Sequence, residues 1–306
     1  SLDNYLEIKD NTIKFKNHKI KSNFKNNKFT INGSGKIKLQ EIFEDINYSI
    51  DSDDKDFKFN SKLLLSELNF NSQEYLKNFI TNLDKTTTLK DQKIEINLDK
   101  KKLLINGQGK IKFNNDFEDI KFKVLKIKNK FNFNTELDLD NTPFKINFLN
   151  FVKNDKSKTR IRFAGSYEPE NSLDFEDISI INENNRLIFK NIFLDKNNLI
   201  EKVDKVNLEF LDNQNKKNNI FLKKIKQNKY QITGSSFNAE KLIDSLLVGK
   251  KDNNLKLFQN DIEISLNLKE IYLDNLYLVN NLNGNLDIKN NEIYAANISG
   301  DFDNVN

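Results

Sequence analysis

The sequence predicts a mainly β protein: an extended, curved antiparallel sheet of repeated β units that forms an apolar groove, with two short amphipathic helices. Three observations predict this fold class. They are an internal repeat, alternation of apolar and polar residues along most of the chain, and asparagine pairs between the alternating segments. Successive side chains of a strand point to opposite faces of a sheet, so the alternation gives each strand one apolar and one polar face.

The repeat consists of three blocks that recur at one spacing of 74 residues, as from Gly33 to Gly107. The matched pairs are Ile31–Lys38 with Ile105–Lys112, Phe43–Ile46 with Phe117–Ile120, and Phe57–Asn60 with Phe131–Asn134. A fixed period of this kind is typical of proteins built by reiterating one structural unit. We place the two units at about residues 27–70 and 101–146. Glycines that recur at matched positions predict the same bulge or bend in successive strands.

Two segments are expected along the chain. Residues 1–150 are predicted to form a β-repeat groove segment, and residues 151–306 a second β segment that continues the pattern. Asparagine pairs such as Asn26-Asn27 and Asn290-Asn291 separate the alternating stretches. Asparagine tolerates positive φ, so these pairs predict tight turns between antiparallel strands.

Two stretches depart from the alternation and predict short amphipathic helices. Between Asn71 and Leu83 the apolar residues fall at helical spacing, and Glu74 follows Asn71 at the distance of a capping box. Residues 238–248 carry a clearer helical stripe, which Gly249 ends. Each helix is interpreted as a cover for a sheet edge or for the end of the core, with a lid or a membrane-surface contact as the alternative.

Composition argues against several classes of function. The chain has 49 basic and 45 acidic residues, and lysines and acids are interspersed without a basic block, so no nucleic-acid partner is expected. It has no Cys and one histidine, His18, which lies between Asn17 and Lys19 and is interpreted as a solvated turn residue. The chain therefore lacks the cysteine and histidine ligands of common zinc sites and the nucleophile of a Cys-His pair. Neither a cofactor nor a metal is expected.

Carboxylates are numerous, but none is singled out as catalytic. The acidic pairs Asp53-Asp54, Glu44-Asp45 and Glu118-Asp119 are interpreted as solvated turn or edge residues. The run Asp51–Asp56 lacks the glycine and the closing glutamate of a calcium-binding EF-hand loop. The sequence thus predicts a protein that is not an enzyme.

No methionine occurs anywhere, including position 1, so we expect the sequence to be a segment of a longer protein. No apolar run approaches the roughly 20 residues of a membrane-spanning helix, and no signal peptide is visible. Any targeting or anchoring is therefore expected outside this segment.

A sheet with one apolar face has to cover that face. A second sheet can cover it, as in a β-sandwich, or the sheet can curve and leave a groove for a hydrophobic ligand. Alternation of apolar and polar residues is common to both arrangements and does not decide between them.

Three stretches of the chain are similar to AsmA-like envelope proteins, in particular to their YhdP branch. They are Gly33–Leu39 with its copy at Gly107, Ile232–Leu247, and Leu282–Phe302. The resemblance implies an internal fragment of a long periplasmic protein that is anchored in the inner membrane by a segment not present here. It further implies a β-groove that conducts phospholipid towards the outer membrane, with acyl chains as the ligand and both membranes contacted through regions outside this segment.

Under this interpretation, apolar side chains from four alternating stretches line the groove. The predicted lining residues are Ile111, Phe113, Phe122, Val124, Phe131, Phe133, Leu137, Leu139, Ile262, Ile264, Leu266 and Leu268. The alternative is a structural or adhesive β-repeat protein of the cell envelope, in which the same side chains form a closed core.

Overall fold

The computed structural model describes residues 14–154, 156–197, 199–243, 260–290 and 292–304. The chain divides into two compact units, the first ending at Thr142 and the second beginning at Pro143. The boundary expected from the sequence lies a few residues further on, after residue 150. We describe each unit by itself.

The first unit is a meander in which each of eight strands pairs antiparallel with the next. The strands are β1 (Lys14–Lys25), β2 (Lys28–Lys38), β3 (Phe43–Ser52), β4 (Phe57–Asn71), β5 (Thr86–Asp99), β6 (Lys102–Lys112), β7 (Phe117–Ile127) and β8 (Lys130–Asp138). Short turns join the strands at one end of this sheet, which we call the hairpin end. The connections 39–42, 72–85 and 113–116 lie at the other, the loop end.

The second unit contains a small hairpin followed by nine strands that pair in chain order. The hairpin is β9 (Phe144–Ile146) and β10 (Phe151–Lys153), with a 3₁₀ turn at Asn147–Leu149 between them. The sheet strands are β11 (Thr159–Glu168), β12 (Ser172–Asn182), β13 (Arg186–Leu194), β14 (Ile200–Leu211), β15 (Lys217–Lys226), β16 (Lys229–Asn238), β17 (Ile262–Tyr272), β18 (Tyr277–Lys289) and β19 (Glu292–Asn304). β16 and β17 pair in parallel, and the other neighbours are antiparallel.

The predicted fold class, mainly β with an extended, curved and open antiparallel sheet, is confirmed. The first predicted helix is a 3₁₀ helix at Glu74–Asn78. The second begins at Glu240 and is helical to Ile243, later than predicted because Asn238 is the last residue of β16. Residues 244–248 of the predicted span lie outside the described residues. The predicted tight turn at Asn26-Asn27 is confirmed, because both residues have the positive φ that such a turn requires, 51° and 58°.

The internal repeat is a unit of four strands, since the 74-residue offset relates β1–β4 to β5–β8. It extends further towards the N-terminus than the matched sequence blocks, into a bulge that β1 and β5 share. Asn17 and Asp91 have φ angles of 56° and 51°, and the pairing with the next strand shifts register at both places. A bulge adds one residue to a strand and turns the following side chain onto the other face.

Each repeat holds two glycines against large side chains of the neighbouring strands. A Cβ atom on Gly33 would overlap the ring of Tyr48, and one on Gly107 would overlap the ring of Phe122. The residue that follows each bulge lies over the second glycine: a Cβ on Gly35 would come within 2.5 Å of the His18 ring, and one on Gly109 within 2.5 Å of the amide of Gln92. Glycine is needed at these four positions because a side chain from a neighbouring strand occupies the space that a Cβ atom would take.

The second unit has a related arrangement between β18 and β19, in which the side chain over the glycine precedes the positive-φ residue instead of following it. Asn281 has a φ of 53°, the pairing shifts register beside it, and a Cβ on Gly300 would lie 2.5 Å from Cγ1 of Val279. A positive-φ residue in one strand and a glycine in the next therefore recur in both units.

We predict that Gly107→Ala lowers the free energy of unfolding by about 1–3 kcal/mol, because the new methyl group forces the Phe122 ring out of its place. Urea unfolding followed by circular dichroism measures the change. Gln108→Ala, on the exposed side of the same strand, is the control and should stay within about 0.5 kcal/mol of the parent.

The cause can be separated from a general loss of strand stability. In a Phe122→Ala background the ring is absent, so Gly107→Ala should become close to neutral. An equal effect of Gly107→Ala in both backgrounds would contradict the packing explanation.

Candidate functional site

All eight predicted lining residues of the first unit lie on one face of its sheet. Directly opposed residues of neighbouring strands share a face. Val124 is opposite Phe133, and Ile120 is opposite Leu137. Ile111 is opposite Glu118, which lies on the same face of β7 as Phe122 and Val124. Phe113 and Leu139 continue the alternation of β6 and β8 beyond the last paired residues.

These eight residues differ in burial according to their position along the strands. Ile111, Phe113, Leu137 and Leu139 lie towards the loop end and are buried, with Leu139 2% exposed. The other four, which lie towards the hairpin end, are half-buried: Phe122, Val124, Phe131 and Phe133. The apolar face is therefore packed at one end and partly accessible at the other.

A matched set of eight side chains in the first repeat belongs to the same face and was not among the predicted lining residues. Subtracting the repeat offset of 74 residues from the predicted positions gives Ile37, Leu39, Tyr48, Ile50, Phe57, Phe59, Leu63 and Leu65. The pairings Ile37–Glu44, Ile46–Leu63 and Ile50–Phe59 place them together. Ile37, Leu63, Leu65 and Leu68 form a buried cluster. The repeat itself was the sequence signal that could have found them.

The four predicted residues of the second unit also share a face, on β17. Ile262 is opposite Ile288, Ile264 is opposite Leu286, and Leu268 is opposite Leu282. Ile262 and Leu268 are 5% and 4% exposed, whereas Ile264 and Leu266 are half-buried.

The core of the second unit includes two of these residues. Ile262 clusters with Val203 and Tyr230, and Ile264 packs against the cluster. Burial raises the pKa of the Tyr230 hydroxyl, which keeps the neutral form in this apolar setting. Ile262 and Leu268 thus belong to packed core, and Ile264 and Leu266 are the more accessible part of the predicted lining.

None of the twelve predicted lining residues borders the depression found in the first unit. This open depression of about 460 Å³ lies over β1 and β2, lined by residues 19–21 and 32–34. Within the described parts of the first unit, no second sheet stacks on the apolar face, since all eight strands belong to the one meander.

The opposite face of the first unit is polar and carries matched ion pairs. Lys36 Nζ lies 2.9 Å from Asp45, and Lys110 Nζ lies 2.9 Å from Asp119, again one repeat apart. Both pairs are solvent-exposed, and exposed pairs contribute less than about 1 kcal/mol each. Because the two ion pairs recur at the same place in each repeat, they mark the solvent-exposed face of the sheet.

Two glutamates interpreted as solvated are in fact buried, so that interpretation is wrong for Glu44 and Glu118. They are 4% and 3% exposed and lie on the apolar face at the loop end. Glu118 accepts hydrogen bonds from the backbone N–H groups of Asp140, Asn141 and Thr142 at 2.9, 2.8 and 2.6 Å. Each carboxylate satisfies backbone donors where the strand ladder ends, which offsets the cost of its burial.

Glu44 makes the corresponding contacts one repeat earlier. It accepts from the backbone N–H of Ser66 at 2.9 Å and from the Ser66 hydroxyl at 2.8 Å. Ser66 is 74 residues before Asp140, so the bonded partners recur with the repeat as well. These carboxylates hold the loop end of the sheet.

His18 also differs from its interpretation, because it lies within β1 on the apolar face rather than in a solvated turn. Its Nε2 is 3.0 Å from the carbonyl oxygen of Lys36, so Nε2 carries the hydrogen, and Nδ1 is 3.4 Å from the Tyr48 hydroxyl. Gln92 takes the equivalent place in the second repeat and donates to the carbonyl of Lys110 at 2.8 Å. Both side chains therefore stabilise a bulge.

Within the described residues, no group of three or more His, Cys, Asp or Glu side chains is arranged to hold a metal ion. The described part of the chain likewise has no helix with the length and hydropathy needed to cross a bilayer. Comparison with protein-family models, with curated proteins and with solved structures found no match.

We predict that Glu118→Gln lowers the free energy of unfolding by about 1–3 kcal/mol, because the amide group presents hydrogens to backbone donors that the carboxylate accepted from. Chemical denaturation of the chain measures the loss. Asp119→Asn, at the exposed neighbour, removes an ion pair instead and should change stability by less than about 1 kcal/mol. Equal effects of the two variants would mean that the buried carboxylate has no special role.

Proposed function

We propose that this chain is a non-enzymatic lipid-binding segment that holds phospholipid acyl chains along the apolar face of its sheets and passes them between membranes. The observation that carries the proposal is the apolar face of the first unit. It repeats with the 74-residue period, is half-buried towards the hairpin end, and has no second sheet over it within the described residues.

The energetics of such a face suit hydrocarbon. An acyl chain of some sixteen carbons exposed to water costs on the order of 12 kcal/mol, at about 0.8 kcal/mol per CH₂. A row of Phe, Ile, Leu and Val side chains removes much of that cost without directional contacts. Because neighbouring positions on the row are chemically alike, a bound chain can slide along it.

The polar groups on this face support a non-enzymatic role. Glu44, Glu118, His18 and Gln92 each bond to the backbone of a neighbouring strand or of a strand end. Their hydrogen bonds serve the bulges and ladder ends, so none of the four is poised as a general acid or base towards a ligand on the face.

The resemblance to AsmA-like proteins supplies the setting of the proposal. It implies a periplasmic segment, with an inner-membrane anchor and contacts to the inner and outer membranes supplied by regions outside this sequence. Phospholipid acyl chains are then the ligand, and the repeat supplies the length of the path.

A structural β-repeat protein with a closed core is the second candidate. The burial of Ile262, Leu268 and Leu139, at 5%, 4% and 2% exposure, favours it locally. It predicts that no lipid is bound and that the half-buried residues contribute to stability alone.

The test is native mass spectrometry of the chain purified without detergent, with lipid extraction as a second readout. The proposal predicts co-purifying phospholipid and its loss in Phe133→Asp, since a carboxylate on the half-buried part of the face excludes hydrocarbon. Lys123→Asp on the exposed polar face adds the same carboxylate next to Phe133 in the sheet and should retain the lipid.

Circular dichroism and denaturation of both variants separate loss of binding from loss of folding. A folded Phe133→Asp without lipid supports the proposal. Parent protein that carries no lipid and takes none up from vesicles would refute it and leave the closed-core candidate.

A further inference from the structure

Charge along the chain is less even than the overall composition indicates, and the expectation of no basic block is wrong for one segment. Residues 11–40 contain eight lysines and no aspartate or glutamate. All eight lysines lie on β1 and β2, which form one antiparallel hairpin in the first unit.

The same hairpin exposes large apolar side chains on one face. Phe15, Ile20 and Phe24 on β1 are 64%, 61% and 71% exposed, and Phe29 on β2 is 38% exposed. Phe24 is directly opposite Phe29, Phe15 is opposite Ile37, and Ile20 is opposite Gly33. These residues therefore form one exposed apolar patch that continues the apolar face of the sheet.

The lysines occupy the other face of the hairpin. The pairs Lys14–Lys38, Lys16–Lys36 and Lys25–Lys28 are directly opposed, and Lys19 and Lys21 lie between them. Among the described residues, Lys36 and Lys38 are the two of the eight that pair with a carboxylate, Asp45 and Glu41 respectively. The other six form no ion pair with a carboxylate of the described residues, although Lys28 lies near Asp53.

We propose that the β1–β2 hairpin is a membrane-docking element that lies flat on a bilayer surface rich in anionic lipid. The hairpin has exposed aromatic and aliphatic side chains on one face and lysines on the other. Amphipathic segments that bind at membrane interfaces have the same arrangement. The apolar patch enters the boundary between headgroups and acyl chains. The lysines attract the anionic surface over a Debye length of about 10 Å at 0.1 M salt.

The position of the charges distinguishes this partner from a nucleic acid. A nucleic-acid site puts aromatic platforms and cations on one face so that bases stack while phosphates are neutralised. Here the phenylalanines and the lysines point to opposite faces. The separation suits a partner with an apolar interior beneath a charged surface.

The turn of the hairpin is a poor site for insertion tip-first. Asn27 donates to Asp54 of the neighbouring turn at 3.3 Å. The pKa of Asp53 is lowered by backbone N–H groups of Lys55 and Asp56, with Lys28 and Lys100 nearby, so this neighbouring turn stays anionic. Acidic residues beside the tip repel an anionic surface, which leaves the apolar face as the surface that docks.

Sedimentation with vesicles tests the proposal. Vesicles of phosphatidylcholine with about one third phosphatidylglycerol should bind the chain, binding should weaken as salt rises, and pure phosphatidylcholine should bind it at least 10-fold less well. Phe24→Ser should weaken binding to the anionic vesicles several-fold, and the triple change Lys16→Gln, Lys19→Gln and Lys21→Gln by about 10-fold or more.

A matched control removes three exposed lysines from the polar faces of β5 and β7: Lys93→Gln, Lys121→Gln and Lys123→Gln. It has the same net charge as the hairpin triple and should bind nearly as well as the parent. Equal loss in the two triples, no effect of Phe24→Ser, or tighter binding of a single-stranded oligonucleotide than of anionic vesicles would each overturn the proposal.

The outcome is independent of the proposed function. The hairpin variants leave the half-buried lining residues unchanged and should retain any co-purified lipid in native mass spectrometry. Loss of vesicle binding with bound lipid retained separates docking from lipid holding, whereas Phe133→Asp should show the reverse.

Discussion

Close approach of neighbouring strands over glycine is the constraint on which the first unit depends. The rings of Tyr48 and Phe122 lie where Gly33 and Gly107 would carry side chains. The sheet is therefore in one register only, because a slip by one residue would bring each ring against a residue with a Cβ and would exchange the two faces. That register places the groove-lining residues together on one face and the ion pairs on the other.

The burial of the apolar face differs between its two ends, and this difference bears on how a ligand could bind there. At the loop end Glu44 and Glu118 bind backbone N–H groups of β4 and of the chain after β8, so the ladder finishes without unsatisfied donors. Leu65 and Leu139 pack beside them at 3% and 2% exposure. At the hairpin end the side chains are half-buried and the turns are polar. A hydrophobic ligand on this face would find closely packed side chains at the loop end and an accessible apolar surface at the hairpin end.

Alternation and the internal repeat were enough to predict the strands, most of their antiparallel pairings and, within each unit taken by itself, the common face of its lining residues, because a strand's side chains have a strict period of two. They did not predict the parallel pairing of β16 with β17. They were not enough for His18, since the bulge at Asn17 changes the parity and moves the histidine onto the apolar face. Glu118 shares the parity of Ile120 and Phe122, but its burial depends on backbone donors of a distant segment. The charge of β1–β2 was visible in the sequence and was obscured by averaging over the whole chain.

The junction between the two repeats has a consequence for how such a molecule changes over evolutionary time. β4 pairs with β5 through thirteen opposed residue pairs, from Lys58–Asp99 to Asn71–Thr86, as strands within one repeat pair with each other. A gene duplication that inserts another four-strand module at this seam would meet edges already matched in spacing and in polarity. The length of the sheet can therefore change by whole four-strand modules, because each added module presents the same strand edges and the same two faces as its neighbours.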